Sequence, residues 1–62
     1  MTLEDFRQSV LKKLRVYAIG KSDQELTKAI EEYPDIITDG YRHYQGVEYG
    51  CDYAAWNISQ CI

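Results

Sequence analysis

A chain of 62 residues, 45% of them hydrophobic and with a formal charge of −3, is one domain at most and too apolar to be disordered throughout. It has no run near the ~18 consecutive apolar residues of a membrane span. Residues 1–5 are acidic and lack the apolar stretch of a secretion signal, so a cytoplasmic location with no membrane partner is expected.

Leu3, Phe6, Val10, Leu14, Tyr17 and Ala18 recur at steps of three and four, with Leu11 widening the stripe, and this spacing predicts an amphipathic first helix. Thr2 with Asp5 three residues on resembles a capping box, and Gly20 stands where helices commonly end in a left-handed residue. Ser22 with Glu25 is a stronger capping box. It opens a second helix whose apolar face is Leu26, Ala29, Ile30 and Tyr33, and which Pro34 stops. The linker Ile19, Gly20 and Lys21 is short enough that these two helices pack as neighbours.

The next segment carries two competing signals. Asp39 and Gly40 between apolar runs read as a hairpin turn, which would make residues 36–44 a β-hairpin in an α+β fold. That pairing leaves neither face of the hairpin cleanly apolar, whereas a helix collects Ile36, Ile37, Gly40, Tyr41 and Tyr44 on one side. The helix is therefore preferred, with Pro34 in its first turn. Gly46 and Gly50 then bracket a short loop of Val47, Glu48 and Tyr49, and Asp52 caps a last helix with the stripe Cys51, Ala54, Ala55, Ile58, Cys61 and Ile62. The expected architecture is a single all-α domain over residues 1–62, a compact bundle of three to four short helices. Its expected core is Leu3, Phe6, Val10, Leu14, Leu26, Ile30, Ile37, Tyr41, Ala55 and Ile58. A core this small contributes only about 3–5 kcal/mol.

Cys51 and Cys61 lie ten residues apart, about 15 Å along a helix, too far for a mutual disulfide. Reduced, half-buried thiols are expected. Asp35, Asp39 and His43 fall four residues apart in turn and align two carboxylates and an imidazole on one helix face, a candidate divalent-metal site. No Cys/His spacing supplies further ligands from a second element, so a solvated acidic face is preferred and no cofactor is expected. His43 is the one imidazole available to either thiol, and nothing provides an orienting group or an oxyanion hole. No glycine-rich phosphate loop is present.

Charge is unevenly spread. Residues 1–21 hold five bases against two acids, and residues 22–62 hold two bases against eight acids. Two helices joined through Gly20 superficially suggest a helix-turn-helix, but the second exposes Asp23, Gln24, Glu25, Glu31 and Glu32, which repel phosphate. Weak nucleic-acid binding by the basic first helix is a lesser alternative.

The strongest functional signal is aromatic. Residues 33–56 hold five of the six tyrosines and the single tryptophan. Tyr33, Tyr41 and Tyr44 fall on core stripes. Tyr49, Tyr53 and Trp56 form a second stripe beside that of the last helix, and such rings serve equally as core filling or as the centre of a protein interface. The expected function is a non-enzymatic interaction or regulatory module that binds a protein partner or itself, a homodimer included, through Tyr49, Tyr53 and Trp56 with the flanking acids Glu48 and Asp52.

Overall fold

The computed structural model describes residues 2–44 and 48–62, with Tyr44 and Glu48 described for backbone only. The chain forms four helices, α1 (Leu3–Tyr17), α2 (Asp23–Glu32), α3 (Pro34–Tyr44) and α4 (Glu48–Ser59). The all-α bundle is the expected one, and the hairpin alternative at residues 36–44 is replaced by α3.

Local chemistry sets the first two helices. The Thr2 hydroxyl accepts from the Asp5 amide at 3.1 Å, and Glu4 and Asp5 favour the positive end of the α1 dipole. At α2 the capping box closes in both directions, Ser22 Oγ accepting from the Glu25 amide and Glu25 accepting from the Ser22 amide. α1 stops earlier than expected, at Tyr17. Ala18 is its C-cap, donating to the Leu14 carbonyl at 2.8 Å, and Gly20 follows with φ +97° in the turn itself. The Arg15 guanidinium spans this turn with two bonds to Asp23, 2.9 and 3.1 Å long, tying the end of α1 to the start of α2.

One core joins all four helices: Phe6, Val10 and Leu14 from α1, Leu26, Ala29 and Ile30 from α2, Ile37 from α3, and Cys51, Ala54, Ala55 and Ile58 from α4. α4 packs most extensively on α1 and next on α3. Tyr41 lies at the margin of the core with its ring against Phe6, centroids 5.4 Å apart and planes at 67°. The surface of 4146 Å² is close to the ~4,100 Å² expected of a folded monomer of this mass. Within the single chain the core residues are 0–7% exposed.

Several expectations are corrected. Leu3 is 40% exposed; it is the first residue of α1, a full turn ahead of the first core contact at Phe6. Cys61 and Ile62 leave the stripe because α4 ends at Ser59 and the Cys61 amide turns back to the Ile58 carbonyl at 2.9 Å. The cysteines form no disulfide, as expected, but they are not half-buried, Cys51 lying in the core and Cys61 outside it. Asp52 does not cap α4, which begins four residues earlier at Glu48. Of the loop expected between Gly46 and Gly50, Gly46 and Val47 fall outside the described residues, while Glu48, Tyr49 and Gly50 are helical. The core place expected for the Tyr44 ring also falls outside what is described.

Both glycines that resemble turn signals, Gly40 and Gly50, are buried inside helices, and packing explains Gly40. A Cβ there would stand 2.9 Å from the Gly50 carbonyl oxygen, 3.1 Å from Phe6 Cζ and 3.3 Å from Ala54 Cβ. Gly40→Ala sets two effects against each other: about 1 kcal/mol gained in helix propensity and about 1–3 kcal/mol lost to overpacking. The oxygen it meets is backbone and cannot rotate away, so the loss prevails. The variant is expected to unfold at lower urea concentration than the parent with an unchanged denaturant slope, and an equal or higher midpoint contradicts the close approach.

Candidate protein-interaction face

With about 100° between successive helical residues, Cys51, Ala54, Ala55 and Ile58 occupy the inner side of α4, while Tyr49, Tyr53 and Trp56 fall on the opposite side and Asp52 on the flank. Burial follows that geometry at Tyr49 and Trp56. Tyr49 is 62% and Trp56 53% exposed, and Tyr53 and Asp52 are intermediate. The expected stripe is thus a real row on the outside of the bundle. Glu48 opens α4 at one end of the row.

Sequence reasoning missed one member of this face. Tyr17 belongs to the apolar stripe of α1 by spacing, yet it is 38% exposed and reaches across to α4. Its ring meets Trp56 edge-on, centroids 5.6 Å apart and planes at 79°, the arrangement that aromatic quadrupoles favour. Its hydroxyl donates to Asp52 Oδ1. The signal was available: a tyrosine at the end of a stripe, past the last buried residue, can keep its ring on apolar neighbours only if its polar tip finds an acceptor or water. Tyr17 therefore touches both Trp56 and Asp52 and joins α1 to the outer face of α4.

The Asp52 carboxylate holds the Tyr17 phenol above its ordinary value, first through the hydrogen bond, then through desolvation and direct charge, with the Lys13 ammonium opposing. The neutral phenol is the donor, so what this bond adds to folding is fully present below the unfolded-state value near pH 10 and is lost as pH rises through the folded-state value.

The other candidate sites are not assembled. Asp35, Asp39 and His43 are all exposed on α3, and about 12 Å of helix axis separates the first from the last, too far to meet one ion at ~2 Å bond lengths. Among the described residues no group of three His, Cys, Asp or Glu side chains is placed to hold a metal. Cys51 is buried in the core while His43 is exposed on α3, so the thiol–imidazole pair lacks a common accessible surface. A groove between α1 and α2, lined by Glu4, Arg7, Leu11 and Glu31 among others, encloses about 190 Å³, below the ~300–1,000 Å³ of ligand pockets. Arg7, Lys12, Lys13 and Arg15 are spread around the α1 axis rather than along one side, and Arg15 is engaged by Asp23. No helix among the described residues is long and apolar enough to cross a membrane.

Comparison with protein families, with characterised proteins and with solved structures returned no match. The class of molecule is therefore set by its own geometry, a four-helix domain with exposed aromatic rings on the outside of α4.

The Tyr17 phenol is expected to ionise above the ordinary phenol value in an absorbance titration, as the component missing from Tyr17→Phe. The stability difference between parent and Tyr17→Phe should hold steady from neutral pH to about pH 9 and shrink above about pH 10. A difference that grows with pH across that range contradicts the assigned donor.

Proposed function

We propose that this chain is a non-enzymatic interaction or regulatory module that docks a protein partner through the outer face of α4, with Tyr49, Tyr53 and Trp56 joined by Tyr17 from α1 and with Asp52 and Glu48 as the acids of the same helix. The observation that carries this reading is the exposure of Tyr49 and Trp56 on a chain whose core is complete without them. Large exposed rings held in one arrangement cost little side-chain entropy on binding, which is why Tyr and Trp concentrate at the energetic centres of interfaces. The two grooves on the α2 side support this reading by contrast: they are small, and charged side chains line them.

A photo-crosslinking amino acid at position 56, in the full chain expressed in its native cell, should yield a discrete protein adduct on irradiation. The same group at position 28, on the exposed side of α2, serves as the control. Equal adducts from both positions, or none from position 56, contradict the assignment.

A further inference from the structure

Three features remain once the core is closed: the α1/α2 groove, the carboxylate line of α3 and the outer face of α4. The groove is small and the line assembles no site, whereas the α4 face combines ordered rings with a carboxylate held in place. Resting on the interaction role proposed for that face, we infer that its partner is a basic peptide segment, one of whose arginine or lysine side chains lies on the Trp56 ring with its charge at Asp52.

Charge and geometry both favour this occupant. α4 carries the acids Glu48 and Asp52 and no base, and residues 22–62 as a whole are strongly acidic. A cation is attracted to the face of an aromatic ring, most of all that of tryptophan, and Trp56 leaves half its surface open while Tyr17 steadies it. The Tyr17 hydroxyl engages Asp52 through Oδ1, one of roughly four acceptor positions on a carboxylate, so capacity remains for a guanidinium or ammonium.

A second copy of the chain fits less well. If two such rows pair antiparallel about a two-fold axis, the middle of the row falls at residues 52 and 53 and the two Asp52 carboxylates approach each other. Like charges brought together in this way oppose association.

Because Trp56 is the single tryptophan, its fluorescence reports on this face alone. The probe is an acetylated, amidated peptide of alternating leucine and arginine, compared with the same peptide carrying uncharged citrulline at every arginine. The arginine peptide should shift Trp56 emission saturably and lose affinity as salt rises. It should also bind Asp52→Asn at least ~10-fold more weakly, since asparagine keeps an acceptor for Tyr17 and removes only the charge. Glu31→Gln, which removes a charge on α2, should leave the affinity unchanged. Equal binding of the citrulline peptide, or equal weakening by Glu31→Gln, overturns the cationic partner while leaving the aromatic docking face standing. A concentration-dependent doubling of molar mass that Trp56→Ala abolishes, with no peptide binding, puts a second copy in its place. No binding of either peptide together with no adduct from position 56 removes both the inference and the function it rests on.

Discussion

A close approach of α3 to α4 at Gly40 constrains much of the rest. With the position of a Gly40 Cβ only 2.9 Å from the Gly50 carbonyl and 3.1 Å from the Phe6 ring, nothing larger than hydrogen fits. The side of α4 turned to its neighbours is accordingly small, with Gly50, Ala54 and Ala55 all buried. Large core side chains come instead from α1, α2 and α3, with Phe6, Leu14, Leu26 and Ile37 wholly or almost wholly buried, and from the far end of α4 at Ile58. Side-chain size is thus sorted across α4: small inside, where two backbones nearly touch, and large outside, where space is unlimited.

That sorting gives the rings of α4 a different status from the rest of the apolar set. Leu14 or Ile58 is surrounded on every side, and removing its bulk leaves a cavity. Trp56 meets Tyr17 edge-on and is 53% exposed, so its contribution to folding is closer to that of an exposed aromatic pair, about 0.5–1.5 kcal/mol beyond burial. The interaction role proposed above rests on these two rings, because contiguous exposed apolar patches commonly mark contact surfaces. Tyr17 gives Trp56 a ring neighbour and Asp52 a proton donor.

Much of the bundle was legible in the sequence because its signals are local. The Ser22 and Glu25 capping box, the stop at Pro34 and the three-and-four spacing of Phe6, Val10 and Leu14 each act within a few residues and read the same way in isolation as in the fold. The misleading signals were those whose meaning depends on a distant neighbour. Gly40 after Asp39 looks like a hairpin turn, and Gly50 looks like a loop boundary; both lie inside helices, and the contact between their two backbones is not written in either segment alone. Asp52 looked like a cap for the same reason: with Gly50 taken as a breaker, the helix had to begin after it. The aromatic row was visible at Tyr49, Tyr53 and Trp56, but its exposure was undecided because periodicity gives a second stripe without saying whether anything packs on it. Tyr17 escaped notice because its spacing is that of a core residue, and only its position at the end of the stripe hints that its hydroxyl faces outward.

The central claim is that the outer rings of α4 are surplus to the fold. Urea unfolding of the double variant Tyr49→Gln/Trp56→Gln tests it most directly when set beside Ile58→Ala, a core truncation of the kind that costs about 2–5 kcal/mol. The account predicts that the double variant remains cooperatively folded and loses less than about 1.5 kcal/mol, less than the single core change. A loss as large as that of Ile58→Ala, or a chain that no longer unfolds cooperatively, would mean that the rings hold the bundle together and that the face described above is part of its core.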